Sequence, residues 1–576
     1  MSGVCLHAVI AAINSKYIHA SLAPWYLLAG LETFGDGAVS AEVVEGTVNE
    51  ELAAVAARII EKSPGVLGLS CYIWNIAFIK KLLPVIKKAL PDAVIVLGGP
   101  EVSYNAGDIL CDEPLVDYVI SGEGEMPFAR LMTALTSGGS TAGIPGLCYR
   151  SGGGVAVAPP HGATDDPPNP YTEAYFTALN GRIAYLETSR GCPFACAFCL
   201  SGRTGTIRFF DLERAKRDML LLANSGTQTV KLVDRTFNAD KRRARTIFQF
   251  LIGHAGKEIP ASVSFHFEIA GELLDDETLD VLAAAPKGLF QFEIGLQSFH
   301  APTLEAINRR TDCARLKRNI ERLTALGNIH IHIDLIAGLP FEDLQCFAES
   351  FNKAFTLSPH VLQLGFLKLL HGAPLREDPK AYPCRFSPEP PYAVLETPWL
   401  TPAAFDVLQQ TAEALERLYN SGRFRRALVY VLKQSGLTPF ELFSKAGGFL
   451  NAHMKKGSSL DELTAKILNF FSALPGVNGA VLRDRMVCDR LATNVSGKLP
   501  SVLKMHDDRF KKAVNRLKDA EKAQGLAQSP KGTRRGYALL CSEKVLVYAD
   551  YRAKDPVTGE YALTFVKLPE KDDAPT

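Results

Sequence analysis

The sequence predicts an α/β protein of several domains: a parallel sheet with helices on both faces, a partial (β/α)6 barrel, and a mainly helical region that ends in a β-hairpin. Three observations support this prediction. The 576 residues exceed what one core ordinarily organises. Strand-like and helix-like runs alternate over residues 1–140 and again over 181–385. A segment rich in Gly and Pro, residues 141–180, separates them, and helical runs dominate 386–576.

The composition is that of a globular protein without a dominant charge. Hydrophobic residues make up 47% and charged residues 22%, and the formal net charge is +1. This balance gives no electrostatic footprint for nucleic acid or for an anionic membrane surface. Charged residues interrupt every apolar run, and the first twenty residues resemble a β-strand more than a signal peptide. We therefore expect a cytoplasmic protein without a membrane span.

Residues 1–140 predict a Rossmann-like sheet. Its expected strands are VCLHAVIAAI, AEVVEG, GVLGLSCYIW, AVIVLGGPEV and VDYVISGEG, with helices between them. Ligands of such sheets lie beyond the carboxyl ends of the strands. Those ends are residues 70–75, 98–104 and 121–125, which are rich in Gly and polar side chains. We expect them to form a ligand-facing rim.

The linker 141–180 predicts a small hairpin at most, in which LCYR and VAVAP flank a Gly-rich turn. Six barrel strands are then expected: IAYLETS, TVKLVD, VSFHFEI, LFQFEIGLQS, IHIHIDLIAGLP and HVLQLGFLKLL. Barrel chemistry belongs at the carboxyl ends of such strands. In the C-terminal region, Arg423, Arg425 and Arg426 indicate a solvated helix face rather than a grip on an acidic or RNA substrate. The closing hairpin is expected to turn near residues 555–559.

Three of the twelve cysteines form a group. Cys192, Cys196 and Cys199 follow the first barrel strand in TSRGCPFACAFCLSGR, and the other cysteines are expected to be mostly buried thiols. Three thiolates on one loop can hold three irons of a cubane cluster and leave the fourth iron without a protein ligand. A structural zinc site would need a fourth Cys or His, which this loop lacks. The spacing therefore favours an iron–sulfur cluster with an open iron.

This CxxxCxxC motif after the first strand of a β/α barrel resembles the signature of the radical S-adenosylmethionine (SAM) superfamily. The resemblance implies that the open iron of a [4Fe–4S] cluster chelates SAM, and that the reduced cluster cleaves it to methionine and a 5′-deoxyadenosyl radical. Phe198 matches the aromatic residue that flanks adenine. The segments LVDRTFN, FEIGLQS, INRRT and DLIAGLP resemble further strand-end motifs of the superfamily. By that resemblance the SAM contacts include Asp234, Asn238, Glu293, Gln297, Ser298, Arg309 and Gly338.

The order of a Rossmann-like domain, a linker and this barrel resembles the cobalamin-binding radical SAM enzymes, in a subgroup with an uncharacterised C-terminal domain. The matching rim positions, expected to face cobalamin, are Ser70, Tyr72, Gly98, Gly99, Gly122, Glu123 and Gly124. One departure is the absence of the Asp-x-His-x-x-Gly element that supplies a lower axial histidine in many cobalamin proteins. The resemblance thus implies either cobalamin without that imidazole or a domain that no longer binds it.

Three functions remain open from the sequence. The first is a cobalamin-dependent radical SAM methyltransferase, or a relative with other radical chemistry, supplied with electrons by a flavodoxin or ferredoxin. The second is a methylthiotransferase, which needs a second cluster, although Cys5, Cys71, Cys111 and Cys148 never come close in sequence. The third is a non-catalytic sensor of the cluster or of cobalamin. No acid–base pair or nucleophile stands out, and the substrate is not identified.

Overall fold

We describe the protein from a computed structural model. It describes residues 6–160, 162–203, 205–455, 457–505, 511–517 and 535–567. The chain divides into two compact units. The first unit comprises Met1–Gln291, Leu304–Asp312 and Phe366–Pro398. The second unit comprises Phe292–Thr303, Cys313–Gly365 and Trp399–Thr576.

The first unit begins with a seven-stranded sheet in the order β2-β1-β3-β4-β5-β6-β7. Strands β1 to β5 pair in parallel, and the central strands are apolar throughout because helices cover both faces. The strands are β1 (Leu6–Asn14), β2 (Val39–Thr47), β3 (Val66–Ser70), β4 (Val94–Gly98), β5 (Tyr118–Ile120), β6 (Leu147–Ser151) and β7 (Gly154–Val157). The helices between them are α1 (Ala23–Phe34), α2 (Leu52–Glu61), α3 (Ile76–Ala89), α4 (Ala106–Asp112) and α5 (Glu125–Ser137). The predicted Rossmann-like sheet is confirmed.

The hairpin predicted within residues 141–180 is an integral part of that sheet. Strand β6 pairs antiparallel with β5, and β7 pairs antiparallel with β6. Cys148 in β6 is fully buried among the apolar residues of the sheet. The hairpin therefore extends the N-terminal sheet by two strands, where the sequence suggested little more than a linker.

The barrel strands follow in the predicted places. The strands are β8 (Ala184–Leu186), β9 (Ser189–Gly191), β10 (Ile207–Phe209), β11 (Thr229–Leu232), β12 (Ser264–Ile269), β13 (Phe290–Gln297), β14 (His330–Ala337), β15 (Val361–Phe366), β16 (Arg385–Phe386) and β17 (Val394–Glu396). The helices are α6 (Glu173–Leu179), α7 (Leu212–Ala223), α8 (Lys241–His254), α9 (Asp276–Ala283), α10 (Ala301–Ala306), α11 (Cys313–Leu326), α12 (Leu344–Thr356) and α13 (Pro374–Glu377).

The boundary between the two units falls inside β13. In the first unit, β11 pairs in parallel with β8 on one side and with β12 on the other. Strands β9 and β10 form a separate antiparallel ribbon. In the second unit, the strands lie in the order β15-β14-β13. Side chains of β13 and β14 alternate strictly between buried and half-buried, which is the pattern of strands with two different faces.

The rest of the second unit is mainly helical, as predicted. Its helices are α14 (Pro402–Leu415), α15 (Arg425–Ser435), α16 (Pro439–His453), α17 (Leu460–Ser472) and α18 (Gly479–Thr493). The chain then forms a sheet in the order β18-β19-β20, with β18 (Arg535–Leu540), β19 (Val545–Lys554) and β20 (Tyr561–Lys567). The predicted turn at 555–559 joins β19 to β20, and the Asp555 carboxylate caps it by accepting from Val557 and Thr558.

The closing element is thus a three-stranded sheet rather than a single hairpin. The additional turn between β18 and β19 contains no Gly or Pro, and Lys544 adopts a positive φ of 52° there. A turn of that composition gives no signal in the sequence. Among the described helices, none has the length and apolar character that a membrane span requires.

Candidate functional site

The cysteine loop of the first unit is enclosed by the β9–β10 ribbon. Cys192 directly follows Gly191, the last residue of β9. Two glycines allow the chain to pass close to itself. A Cβ on Gly191 would lie 2.2 Å from the Thr206 carbonyl oxygen, and one on Gly202 would lie 1.9 Å from that of Phe194. No side chain fits at either position, so the loop requires glycine at both.

Backbone hydrogen bonds from two other segments of the first unit hold the loop. The Ala197 amide donates to the Ile307 carbonyl over 2.9 Å, and the Leu375 amide donates to the Ala197 carbonyl over 3.0 Å. The Asn308 side chain donates to the Ala195 carbonyl over 3.0 Å. The residues between the cysteines are therefore anchored on both sides.

The three cysteines are reduced thiols, and their surroundings suit thiolate ligands. Cys192 and Cys196 are buried and Cys199 is half-buried. The Thr236 hydroxyl lies 3.4 Å from the Cys192 sulfur, and the Arg309 guanidinium donates to the Cys196 sulfur over 3.7 Å. Burial raises the pKa of Cys196, and the charge of Arg309 offsets part of that rise. A hydroxyl and a cation beside two of the sulfurs favour negative charge on the loop.

The donor set is that of an iron–sulfur cluster bound by three thiolates. Among the described residues, no three His, Cys, Asp or Glu side chains converge on one point as ligands of a single ion do. In a cubane each thiolate binds a different iron, so the sulfurs need not converge. Three thiols on one buried loop, with no fourth Cys or His in it, agree with that arrangement.

Asp234 and Asn238 are both buried at the carboxyl end of β11, and their side chains bind protein groups. The Asp234 carboxylate accepts from the Thr188 amide over 3.0 Å, from its hydroxyl over 2.7 Å, and from the Ser189 hydroxyl over 2.5 Å. Asn238 exchanges two hydrogen bonds with the Ala270 backbone, at 2.8 and 2.9 Å. Both residues order the chain around the cysteine loop.

Four of the predicted SAM residues lie in the second unit, either within β13 or directly after β13 and β14. They are Glu293, Gln297, Ser298 and Gly338. Gln297 adopts a positive φ of 69°, and its buried side-chain oxygen has no hydrogen-bond partner. An orphaned acceptor at a strand end is suited to a ligand donor such as a ribose hydroxyl.

The Ser298 side chain forms hydrogen bonds with other residues of the protein. Its hydroxyl donates to the Glu342 carboxyl group over 2.5 Å, and the Ser350 hydroxyl lies 3.3 Å from it. Glu342 is fully buried, and burial raises its pKa to about 7. Its second oxygen has no hydrogen-bond partner. Sequence reasoning did not single out Glu342.

The carboxyl ends of the N-terminal strands border a cavity of about 920 Å³ within the first unit. All seven residues predicted to face cobalamin line it: Ser70, Tyr72, Gly98, Gly99, Gly122, Glu123 and Gly124. The same cavity is lined by residues on both sides of the three cysteines: Ser189 and Gly191 before Cys192, and Leu200 and Ser201 after Cys199. The rim of the sheet and the cysteine loop therefore share one space.

The glycines of the rim leave room for a large ligand. Gly99 requires glycine for its backbone, because its φ is 105° and a Cβ would lie 2.5 Å from the Cys71 carbonyl oxygen. Gly98 has no such requirement, since a Cβ there would meet only the Ile120 carbonyl oxygen, at 3.6 Å. Its missing side chain simply enlarges the cavity. The residues present therefore fit a bulky cofactor of the corrin type.

A network of charges joins the rim to the residue before the cysteine loop. The Arg190 guanidinium lies 2.5 Å from Glu123, 2.6 Å from Glu125 and 2.9 Å from Glu187. Arg208 binds the same Glu123 carboxylate over 2.8 Å. Burial raises the pKa of Glu187, and Arg190 lowers it. The network fixes the Gly122–Glu125 turn of the N-terminal sheet against the start of the cysteine loop.

His19, Arg190 and Arg235 line this cavity, and sequence reasoning missed all three. His19 follows β1, and its Nδ1 lies 2.7 Å from the Tyr185 hydroxyl. His19 does not belong to an Asp-x-His-x-x-Gly element, so that motif gives no signal for it. Arg190 stands two residues before Cys192, a proximity that could have identified it.

The remaining N-terminal cysteines do not assemble into a second cluster site among the described residues. Cys71 and Cys148 are fully buried, whereas Cys111 is exposed. Cys5 lies outside the described residues. The thiol of Cys71 lies 3.6 Å from the Leu69 carbonyl oxygen, and that of Cys148 lies 3.9 Å from Ser121. A methylthiotransferase is therefore not favoured.

Models of three protein families match successive parts of the chain. The B12-binding domain matches residues 8–132, and the radical SAM superfamily matches residues 186–354. A protein family of unknown function, DUF4080, matches residues 380–535. These matches confirm the resemblance drawn from the sequence and the cofactor classes that it implied: a [4Fe–4S] cluster, SAM and cobalamin.

Curated relatives match about half of the chain. The chain is 28% identical over 337 residues to the cobalamin-dependent radical SAM methyltransferase TokK of Streptomyces tokunonensis, covering 55% of this chain and 49% of that protein. It is 27% identical over 318 residues to the 2-(S-pantetheinyl)-carbapenam-3-carboxylate methyltransferase of Streptantibioticus cattleyicolor, covering 52% and 46%. The chain thus spans about half the length of these relatives.

Solved structures share the fold. The radical SAM methyltransferase TsrM from Kitasatospora setae matches with a TM-score of 0.55 at 18% identity, over 69% of this chain and 80% of that chain. The cobalamin-dependent SAM radical enzyme OxsB matches with a TM-score of 0.57 at 12% identity, over 91% and 81%. At these identities the likeness concerns the architecture alone.

Proposed function

We propose, from the premise that this chain joins a B12-binding domain to a radical SAM domain, that it is a cobalamin-dependent radical SAM methyltransferase. One observation carries the proposal. The cavity at the carboxyl ends of the N-terminal strands is also lined by residues that flank the cysteine loop, within one compact unit. A methyl carrier and a radical generator must reach the same substrate, and a common cavity allows this.

Cys192, Cys196 and Cys199 are the proposed cluster ligands. A [4Fe–4S] cluster bound there supplies the electron that cleaves SAM reductively. The protein's own contribution is positioning and charge. Arg309 places a cation beside Cys196, and the Thr236 hydroxyl lies beside Cys192, so both favour thiolates. Asp234 holds the segment that leads into the loop.

The rim of the N-terminal sheet is the proposed cobalamin site, with the seven residues predicted from the sequence. Cobalamin supplies a metal-borne methyl group that SAM can renew. Gly98 and Gly99 let the backbone approach a broad, flat group, while the Arg190 network keeps the Gly122–Glu125 turn in place. The side chain of His19 adds an imidazole to the lining of this cavity.

The SAM contacts proposed from the sequence differ in how well they suit a ligand. In the first unit, Phe198 is half-buried on the cysteine loop and Arg309 contacts a cysteine sulfur. In the second unit, the unsatisfied oxygen of Gln297 is the group best suited to a ligand donor. We assign Asp234, Asn238 and Ser298 to positioning, because protein groups already satisfy their side chains. Glu293 and Gly338 stay proposed contacts.

The chemistry requires an external one-electron donor, for which we propose a flavodoxin or a ferredoxin. We also propose a cytoplasmic location, because cluster ligands must stay reduced and reducing compartments keep thiols free. The substrate is a separate question.

Product analysis tests the proposal. The full chain is purified without oxygen, reconstituted with iron, sulfide and cobalamin, and incubated with SAM, a strong reductant and an extract of small molecules. We expect 5′-deoxyadenosine and S-adenosylhomocysteine to form together, and neither to form with a Cys196→Ala variant. Formation of 5′-deoxyadenosine without S-adenosylhomocysteine would contradict methyl transfer and leave another radical reaction. The absence of SAM cleavage despite a full cluster would favour a sensor.

A further inference from the structure

Arg235 differs from every other charged residue that lines the cavity. Among the described lining residues, Glu123, Glu125, Glu187, Arg190 and Arg208 are all ion-paired within the network described above. Arg235 lies outside that network. Its one ion pair among the described residues is with Glu268, at 3.9 Å, and 56% of its side chain is exposed. A long, exposed pair of this kind contributes little to stability.

The backbone around Arg235 is rigidly held. Asp234, before it, is buried and accepts three hydrogen bonds from Thr188 and Ser189. Thr236, after it, is buried, and its hydroxyl lies 3.4 Å from the sulfur of Cys192. The backbone of Arg235 therefore lies at a fixed place, one residue from a group that contacts the cluster loop, and its exposed side chain extends from there.

The surroundings of Arg235 combine that charge with an aromatic surface. Tyr72 and Trp74 stack with their ring centres 4.3 Å apart and their planes 7° apart, and both line the cavity. Trp74 is 49% exposed. Burial raises the pKa of Tyr72, and the nearby charge of Arg235 is among the influences that lower it. Arg235 and the stacked rings line the same cavity.

We propose that Arg235 binds an anionic group of the substrate, a carboxylate or a phosphate, and so determines the substrate class. The inference rests on the proposed function and extends it. A guanidinium offers parallel N–H donors that match either group in a bidentate contact. The exposed ring of Trp74, which stacks on Tyr72 of the proposed cobalamin site, offers a flat apolar face to the remainder of the molecule. The substrate is an organic acid or phosphate ester with an apolar or planar part.

Ligand-observed fluorine magnetic resonance tests this without turnover. The probes are 4-fluorobenzoate and 4-fluorophenyl phosphate, with the neutral 4-fluorobenzamide as their uncharged counterpart. Each is titrated with full-length protein that carries its cluster and cobalamin. We expect one or both anions to bind and the amide to bind at least tenfold more weakly, since the amide cannot form the charged hydrogen bonds. The preferred anion then identifies the carboxylate or the phosphate class.

Three variants make the test specific. Arg235→Gln is expected to lower the affinity for the anions about tenfold. Arg235→Lys is expected to retain part of the affinity, because lysine keeps the positive charge but cannot form the bidentate contact of a guanidinium. Arg242→Gln, at an exposed arginine on α8 that does not line the cavity, is the matched control and should leave the affinity unchanged. Cobalamin content, read from the visible spectrum, is expected to be equal in all four proteins.

Several results would overturn the inference. Equal binding of the amide and the anions, or no anion binding, would show that the cavity does not select for negative charge. Unchanged affinity in Arg235→Gln would assign the selectivity to another residue. Loss of cobalamin in Arg235→Gln would assign Arg235 to the cofactor instead. Because none of these readouts needs SAM cleavage, they separate failure of this inference from failure of the proposed methyl transfer.

Discussion

A single buried carboxylate, Asp234, joins the carboxyl end of β11 to the segment that leads into the cysteine loop. It accepts three hydrogen bonds, two from Thr188 and one from Ser189. Burial raises its pKa, and these hydrogen bonds oppose that rise. We propose that Asp234 holds residues 188 and 189, which lead to Cys192, in place. A motif match alone does not distinguish this positioning role from direct contact with SAM.

Replacing Asp234 by alanine leaves the Thr188 and Ser189 donors without their acceptor. We expect the free energy of unfolding to fall by about 3 kcal/mol, because hydrogen bonds to a buried charge are strong and their loss leaves buried donors unpaired. Iron content after reconstitution should fall as well. Urea denaturation and iron analysis measure the two effects.

Asp240→Ala is the matched control for Asp234→Ala. Asp240 caps α8 by accepting from the amides of Arg242 and Arg243, so its loss should cost about 1 kcal/mol. Its iron content should equal that of the wild type. Normal iron content in Asp234→Ala would refute the positioning role.

Glu342 makes stability depend on pH. Burial raises its pKa from 4.5 to about 7, so its neutral form is favoured in the folded state. The associated stability is complete below the unfolded pKa and is lost as the pH rises from about 4.5 to about 7, amounting to about 3 kcal/mol. Glu342→Gln removes the titration. We expect the variant to lose less stability than the wild type between pH 5 and pH 8, as measured by urea denaturation.

The control for this pH dependence is Glu349→Gln, at an exposed position of α12. It should follow the wild-type profile. Parallel profiles of Glu342→Gln and the wild type would mean that Glu342 is already ionised at pH 5 in the folded protein.

At the scale of elements, the cysteine loop depends on glycine as much as on cysteine. The chain crosses itself at Gly202, where a Cβ would lie 1.9 Å from the Phe194 carbonyl oxygen. That oxygen belongs to backbone, which cannot rotate away as a flexible side chain could. The crossing shapes the stretch that carries Cys196 and Cys199.

A methyl group at Gly202 should therefore open the loop. Gly202→Ala is expected to bind less iron than the wild type and to lose most of the visible absorbance of the cluster. Gly253→Ala on α8 is the control, since a Cβ there meets no atom within 4 Å. It should keep the cluster and gain up to about 1 kcal/mol of stability from better helix propensity. Full iron content in Gly202→Ala would show that the crossing is not needed.

The elements themselves were largely predictable. Buried parallel strands are continuous apolar runs, so β1, β3 and β4 were evident, and the alternating patterns of β13 and β14 were equally plain. The strand β18 was not separated from β19, because its turn has no Gly or Pro. The β6–β7 hairpin was recognised, but its place in the N-terminal sheet depends on pairing with β5, which local composition does not encode.

At the scale of the whole chain, the sequence predicted which residue types form the site but not how distant segments meet. The cysteine spacing was sufficient for the cluster loop, because those three residues are close in the chain. The pairing of Arg190 with Glu123 and Glu125 spans more than sixty residues. The sequence gives no sign that Arg235 lines the cavity, because this depends on which other charged residues fold around it and pair with one another. Contacts of this kind arise only when the chain is folded.

Mössbauer spectroscopy of ⁵⁷Fe-reconstituted protein tests the central claim, that Cys192, Cys196 and Cys199 hold a cubane with one open iron. We predict about four irons per chain, and a change in the signal of one iron in four when SAM is added. Serine at each of the three cysteines in turn should abolish or severely reduce this cluster, whereas Cys488→Ser, at a buried thiol of α18, should keep it. About eight irons per chain, an unchanged spectrum with SAM, or an intact cluster in the three variants would contradict the account.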